Sequence, residues 1–188
     1  MKSGILLALL SFSTAIAQPR PLDSGKSTIT VHVSKTGLFS AFGHDHEISA
    51  PVAKGTADPA AHHVELQVDA AKLKVVDAKV SEKDRAEIQQ TMLGPEVLDV
   101  ARYPVISFRS SAADATSDGV WKVRGSLTLH GQTEPIVVDV REKDGRYEGS
   151  AIFKQTAFGI VPVKAGGGTV RVKDEVRIEF DIQLGARE

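Results

Sequence analysis

The chain has 188 residues, with 24 acidic and 23 basic side chains, no cysteine and 41% hydrophobic residues. This length suits one ordinary domain, and the hydrophobic share suffices for a core, which excludes disorder as the main state. A net charge of −1 excludes indiscriminate nucleic-acid binding through a basic surface. Without cysteine, disulfides, thiolate nucleophiles and cysteine-based metal sites are also excluded.

The N-terminus has the pattern of a cleaved secretory signal peptide. Lys2 precedes the apolar run Ile5–Leu10, and Ala15-Ile16-Ala17 offers small residues at the two positions that a signal peptidase reads. The run is shorter than the about 20 residues that a membrane-spanning helix needs. We therefore expect residues 1–17 to be removed and residues 18–188 to form the domain. The protein would then reach the periplasm or be secreted, with no transmembrane anchor.

Alternation of apolar and polar residues dominates the rest of the chain and predicts strands with one apolar face. In chain order, strands are predicted at Ile29/Val31/Val33, Leu38 to Ile48, Val64/Leu66/Val68, Ile106/Phe108, Trp121 to Leu129, Ile136 to Val140, Tyr147 to Phe153 and Val176 to Leu184. His130-Gly131-Gln132 and Asp144-Gly145 predict tight turns between the later strands.

One segment departs from this alternation and predicts a helix. Ser81 followed by Asp84 resembles a capping box, and the apolar Ile88 and Met92 are one helical turn apart. Gly94-Pro95 then stops the helix. The pattern predicts a single helix from about Ser81 to Leu93.

At least eight antiparallel strands with short links can close into a barrel. Closure removes exposed sheet edges and leaves room for side chains or for one small ligand. A two-sheet sandwich also fits the alternation. We predict an all-β, antiparallel barrel of about eight strands with one inserted α-helix, which would cover an opening.

The strongest polar cluster is Gly43-His44-Asp45-His46-Glu47. On a strand, both histidines would share the apolar face with Ile48, since side chains alternate. They could form half of a metal site with His62 as a third ligand, because zinc takes three or four protein ligands. Alternatively they could donate hydrogen bonds to a ligand head group, such as a quinone carbonyl or a pyrophosphate oxygen. We take His44 and His46 as head-group candidates and expect no cofactor; metal binding is the alternative.

Motifs of common catalytic sites are absent from the sequence. It contains no G-x-S-x-G elbow, no P-loop, no dinucleotide-binding fingerprint and no H-E-x-x-H. We therefore predict a binding protein rather than an enzyme. An enzyme that acts on a molecule held in the barrel is a third possibility.

Three stretches stand in the same order and spacing as the motifs of a known family. They are Asp84-Arg85 through Leu98-Asp99-Val100 to Tyr103-Pro104-Val105-Ile106-Ser107-Phe108, then Gly125-Ser126-Leu127-Thr128-Leu129-His130-Gly131-Gln132-Thr133, then Phe158-Gly159-Ile160 with Asp174-Glu175-Val176-Arg177-Ile178. Together they resemble the YceI-like family, also described as polyisoprenoid-binding and lipocalin-like. The family's usual Phe-Gly-x-Phe strand is replaced here by Phe42-Gly43-His44-Asp45, which leaves the identity of the lipid open.

The resemblance implies a lipocalin-type barrel with a long apolar cavity for an isoprenoid tail, in a small exported protein that could form a homodimer. The inward positions predicted to line this cavity are Phe42, Leu66, Phe108, Leu127, Val138, Phe153 and Phe180. Small inward residues at Gly125, Gly149 and Ala151 would leave space, although the side chains could instead meet and fill the barrel. We predict a binding protein for an isoprenoid lipid or quinone, with no covalent catalysis and no nucleic-acid partner.

Overall fold

The computed structural model of the protein describes residues 18–36, 45–116, 119–165 and 170–186. Within these ranges there is one α-helix, α1 (Glu82–Leu93), and two short 3-10 turns, Ala70–Lys72 and Gln155–Phe158. The strands are β1 (Arg20–Pro21), β2 (Thr28–Thr36), β3 (His46–Ser49), β4 (Val52–Asp58), β5 (His63–Asp69), β6 (Lys74–Val75), β7 (Val105–Ala115), β8 (Trp121–Leu129), β9 (Gln132–Lys143), β10 (Arg146–Lys154), β11 (Lys164–Ala165) and β12 (Val170–Gln183).

These strands belong to a single antiparallel sheet that curls on itself. The strand order is β1-β4-β5-β7-β8-β9-β10-β12-β2-β3-β6, and β11 pairs with β12. Only Ala50 and Pro51 separate β3 from β4, so the strand beside β2 continues directly into the strand beside β5. Counted as one bent strand, β3 and β4 complete a circuit of eight strands. A bridge between Leu22 and Leu184 joins the start of the domain to its last strand.

The predicted all-β architecture with one inserted helix is confirmed, and the continuous sheet excludes a two-sheet sandwich. The strand count is higher than predicted because the structure has four strands that the alternation did not predict, β1, β4, β6 and β11. The predicted strand from Leu38 to Ile48 is described only from residue 45 onward, and β3 begins at His46.

Both predicted tight turns are present. His130 and Gly131 join β8 to β9 with φ angles of 51° and 74°, and Asp144 and Gly145 join β9 to β10 with 52° and 76°. Positive φ at both central residues is the type I′ geometry that matches the twist of a hairpin.

The turns divide between the two ends of the barrel. The β4–β5 and β9–β10 turns lie at one end, called end A, and the β8–β9 turn lies at the other, called end B. The segments on both sides of α1 lie at end B: Asp77 before the helix contacts His46 at the start of β3, and Tyr103 after it contacts His130 in the β8–β9 turn. The helix therefore covers end B.

Side-chain hydrogen bonds attach α1 to the barrel. Ser81 caps the helix by accepting from the Asp84 N–H at 3.2 Å, as the capping pattern predicts. The Gln89 side chain accepts from the Val75 N–H and donates to the Leu73 carbonyl, both at 2.8 Å. It thus satisfies backbone groups on either side of Lys74, as a neighbouring strand would.

Candidate ligand-binding cavity

An elongated cavity of about 370 Å³ occupies the inside of the barrel. Its wall extends from Met92 and Leu98 at end B to Trp121 and Tyr147 at end A. Ligand pockets typically have volumes of about 300 to 1,000 Å³ and mostly apolar walls, and this cavity matches both. The inward side chains therefore surround a space instead of filling the barrel.

Six of the seven residues predicted to line a cavity do so. They are Leu66, Phe108, Leu127, Val138, Phe153 and Phe180. The seventh, Phe42, lies outside the described residues. Ala151 also contributes to the wall, as its small size suggested.

The two inward glycines have a different role from the one expected. A Cβ at Gly125 would collide with the Phe108 ring, and one at Gly149 would collide with the Phe180 ring and the Asp139 carbonyl. These glycines therefore let aromatic rings lie against the backbone of the neighbouring strand. Phe108 and Phe180 occupy the space that the sequence suggested would be empty.

The two ends of the cavity differ in exposure. At end B the wall residues Leu73, Met92 and Leu98 are all buried. At end A the wall includes Pro59 and His62, which are exposed. The cavity therefore meets solvent at end A.

Polar wall residues are concentrated at the rim of end A. This rim set consists of Asp58, His62, His63, Trp121, Glu142 and Tyr147. The imidazole of His62 contacts the indole of Trp121, with ring centroids 4.4 Å apart.

The pKa of the Tyr147 hydroxyl is raised above its ordinary value. Burial is the main cause, the nearby Glu142 carboxylate adds to it, and the positive charge of Arg20 acts in the opposite direction. The Tyr147 phenol therefore remains protonated at neutral pH and can donate a hydrogen bond.

The other members of the rim set are partly engaged within the protein. One Asp58 carboxylate oxygen accepts the N–H groups of Ala60 and Ala61 at 3.0 and 3.1 Å, which closes the β4–β5 turn. His63 contacts Glu65 through Nε2 at 3.1 Å and Ser110 through Nδ1 at 3.4 Å.

The Ser110–His63–Glu65 arrangement resembles a catalytic triad only superficially. Ser110 is buried, is not part of the cavity wall, and accepts the Val64 N–H at 2.8 Å. A nucleophile must reach its substrate, so this geometry favours a structural role beside the register shift in β7.

The predicted head-group histidines do not meet at the cavity in the described part of the chain. His44 lies outside the described residues, and His46 is not part of the cavity wall. Nδ1 of His46 instead lies 2.6 Å from Oδ2 of the buried Asp77. His62, the proposed third metal ligand, is near the other end of the bent strand formed by β3 and β4. Over residues 18–36, 45–116, 119–165 and 170–186, no three His, Asp or Glu side chains converge as a metal site.

Sequence reasoning missed the polar rim at end A. Trp121 and Tyr147 had the correct inward parity, but alternation alone did not show that they lie at an opening, or that Trp121 contacts His62 there. Their positions at the start of their strands, Trp121 first in β8 and Tyr147 second in β10, were the available signal.

An antiparallel barrel around an apolar cavity, open at one end, is the architecture of lipocalin-like binding proteins. The model of the YceI-like domain matches residues 21–184. The chain therefore belongs to the YceI-like family, which confirms the resemblance seen in its motifs. Among the described residues, no helix has the length and apolar character needed to cross a membrane.

Several named proteins are similar to this chain. The UPF0312 protein of Azotobacter vinelandii is 25% identical over 165 residues, covering 81% of this chain and 82% of the relative. The UPF0312 protein of Pseudomonas syringae pv. tomato is 29% identical over 133 residues, covering 70% of this chain and 65% of the relative. UPF0312 proteins of Vibrio cholerae are 33% identical over 64 residues, so the match spans about a third of their length, 34%.

Solved structures share the fold. Burkholderia cenocepacia BcnA superposes with a TM-score of 0.64 at 22% identity, covering 88% of this chain and 99% of BcnA. The Campylobacter jejuni YCEI protein gives a TM-score of 0.51 at 15% identity, covering 100% of this chain and 94% of that protein. At these identities the likeness concerns the fold.

Proposed function

We propose that this is an exported binding protein that holds a polyisoprenoid, an isoprenoid quinone or a similar amphiphilic lipid in its barrel, without covalent catalysis. The observation that carries the proposal is the apolar cavity of about 370 Å³ that meets solvent at end A. A cavity that is mostly apolar inside, with its polar residues concentrated at its rim, suits a molecule with one long apolar part and one polar end.

Desolvation of the tail supplies the affinity in this proposal. Burial of apolar surface contributes about 25 cal/mol per Å², so about 100 Å² of tail contributes about 2.5 kcal/mol. That energy corresponds to about sixtyfold in affinity. Side chains such as Leu127, Phe153 and Phe180 then need only present an apolar wall, and no specific polar contact is required along the tail.

Extraction of the purified protein tests the proposal directly. The full chain is produced in a bacterial host, purified without detergent and extracted with organic solvent, and the extract is analysed by mass spectrometry. We expect a prenyl lipid or quinone close to one molecule per protein. Absence of such a lipid, together with no binding of an added prenyl alcohol or prenyl quinone, would overturn the proposal.

The same preparation tests export and assembly. The intact mass should lack residues 1–17, with Gln18 as the first residue, if the signal peptide is cleaved as its pattern predicts. Its native mass tests the homodimer that the family resemblance implied. A full-length mass in a secretion-competent host would contradict export.

A further inference from the structure

The rim of end A holds three side chains with hydrogen-bonding groups that bond to no described residue. They are the indole N–H of Trp121, the hydroxyl of Tyr147 and the imidazole of His62, whose ring is tilted against the Trp121 ring. Among the described residues, none of these side chains has a hydrogen-bond partner. Donors that face a ligand cavity and lack a protein partner are available to a ligand.

These donors lie close together on the inner face of the barrel. Trp121 of β8 pairs with Val140 of β9, and Glu142, two residues further along β9, pairs with Tyr147 of β10. Cross-strand partners are separated by about 5 Å and diagonal neighbours by about 7–8 Å. Trp121 and Tyr147 are thus one diagonal step and one cross-strand step apart, about 12 Å between their backbones, so their side chains can contact opposite sides of one ring-sized head group.

The charge of the cavity wall is unfavourable for an anion. Among the described residues, the wall contains the carboxylates of Asp58 and Glu142 but no lysine or arginine. The internal segments 37–44, 117–118 and 166–169 contain no lysine or arginine in their sequence either. A phosphate that entered this rim would lose water and meet like charges, which disfavours its binding.

Three basic side chains near end A already have partners within the protein. Arg20 donates to the Gly185 carbonyl at 2.7 and 3.1 Å. Arg146 forms an ion pair with Asp181 at 2.6 Å. Lys122 forms one with Asp139, also at 2.6 Å. Recruiting any of them to a ligand would break an existing contact.

We infer that the head group of the bound amphiphile lies at end A, against Trp121 and Tyr147, and is an uncharged ring with hydrogen-bond acceptors, of the quinone type, and not a phosphate. The inference rests on the proposed function, because it assigns the head group of the lipid proposed above. The tail then extends from this rim toward Met92 and Leu98 at end B. The predicted head-group candidates His44 and His46 are not part of this assignment.

Three ligands with the same ten-carbon prenyl tail test the charge preference. They carry a benzoquinone, an alcohol and a diphosphate head, and their affinities for the processed, delipidated protein are measured by calorimetry. We expect the quinone to bind most tightly and the diphosphate at least tenfold more weakly. Equal affinities, or tightest binding of the diphosphate, would overturn the inference. If none of the three binds, the proposed function fails as well.

The location is tested by fluorescence, because Trp121 is the only tryptophan in the chain. The prenyl quinone should quench its emission on binding, whereas the prenyl alcohol should not. A benzoquinone without a prenyl tail is the control, because it measures the quenching that unbound quinone causes by collision. The nine residues of β8 place end B about 26 Å from Trp121, so a bound quinone that leaves the emission unchanged would overturn the assignment to end A.

Conservative variants test the two donors. Tyr147→Phe and Trp121→Phe each remove one donor and keep the aromatic ring. Each should weaken quinone binding about two- to tenfold and leave binding of the prenyl alcohol unchanged. Tyr103→Phe, at end B and outside the cavity wall, is the matched control. Unchanged quinone affinity in both rim variants would show that neither donor contacts the head group.

Discussion

The imidazole of His130 donates a hydrogen bond to the main-chain carbonyl of Phe158, with Nδ1 and O 3.1 Å apart. A carbonyl oxygen only accepts, so the proton is on Nδ1. The Phe158 side chain is fully buried, and its ring meets that of Phe153 edge-on with centroids 5.2 Å apart. The Tyr103 and His130 rings also meet edge-on, with centroids 4.7 Å apart. These contacts join the β8–β9 turn to the 3-10 turn and close end B.

His130→Ala should therefore destabilise the protein by about 1–3 kcal/mol, because it leaves the Phe158 carbonyl without its partner and removes ring packing. Urea denaturation followed by circular dichroism measures the change. Thr133→Ala, at an exposed position of the same hairpin, is the control and should cost under about 1 kcal/mol. Equal effects of the two substitutions would contradict a closing role for His130.

Two glycines in equivalent turns should respond differently to alanine. Gly131 and Gly145 have φ angles of 74° and 76°, so either substitution introduces similar backbone strain, about 1 kcal/mol. A Cβ at Gly145 meets no atom within 4 Å, whereas a Cβ at Gly131 collides with the Tyr103 ring. We expect Gly131→Ala to cost about 2–4 kcal/mol.

A double variant separates the clash from the backbone strain. In a Tyr103→Ala background, Gly131→Ala should cost about as much as Gly145→Ala, because the colliding ring is gone. Unfolding free energies from urea denaturation complete the cycle. A cost for Gly131→Ala that is the same in both backgrounds would contradict the steric explanation.

Asp77 holds the segment before α1 against β3. Its Oδ1 accepts the Glu47 N–H and its Oδ2 contacts His46 Nδ1, both at 2.6 Å, and its side chain is 5% exposed. Asp77→Ala should destabilise the protein by about 2–4 kcal/mol, because it removes two part-buried hydrogen bonds to a carboxylate. Asp45→Ala, which removes an exposed bond to the Lys35 N–H, should cost less than about 1 kcal/mol in the same urea assay. Similar costs would argue against this attachment.

Asp174 should contribute to the acid sensitivity of the fold. The Thr156 N–H and hydroxyl donate to its two oxygens at 2.9 and 2.8 Å, and the backbone bond is the main reason why its pKa is lowered. A lowered folded-state pKa stabilises the protein above the unfolded-state pKa, which is about 3.9 for aspartate. That contribution is lost as the pH falls through the folded-state pKa.

Asp174→Asn should therefore be less stable than the parent at pH 6, and the difference should shrink below about pH 4. Urea denaturation at a series of pH values measures it. Glu87→Gln, at an exposed position of α1, controls for the loss of one negative charge. A difference that is constant from pH 6 to pH 3 would contradict the linkage.

Filling the cavity should reduce lipid binding without unfolding the barrel. Ala151 is buried in the cavity wall beside Val138 and Phe180, whereas the next residue, Ile152, is 52% exposed on the outer face. Ala151→Leu should lower the affinity for a prenyl quinone at least tenfold and change the unfolding free energy by only about 1 kcal/mol, since the added atoms enter open space. Ile152→Leu, the control, should change neither. Undiminished binding by Ala151→Leu would place the tail elsewhere.

Local patterns predicted the elements whose causes are local. The Ser81 cap defines the start of α1, and the two Gly-containing turns have the geometry expected of hairpins. The strand β4 was missed because a register shift between Val52 and Lys54 interrupts its alternation. A bulge changes the parity of the residues that follow it, so a period of two no longer identifies the inner face.

The partners of the site residues were not predictable from periodicity. His46 and Asp77 are 31 residues apart and meet only because β6 lies beside β3. Likewise, no sequence pattern indicates that Phe108 and Phe180 lie over the glycines of neighbouring strands. Such contacts depend on which strands are adjacent, which alternation does not specify.

The Gln89 side chain has a consequence for how a guest molecule would exchange. To leave through end B, such a molecule would have to displace α1 and break both bonds from Gln89 to the backbone around β6. The edge strand β6 would then expose unpaired backbone N–H and C=O groups, which can pair with another chain. Passage by way of Trp121 and His62 breaks none of these bonds. Loading and release can therefore proceed while the sheet stays protected from aggregation.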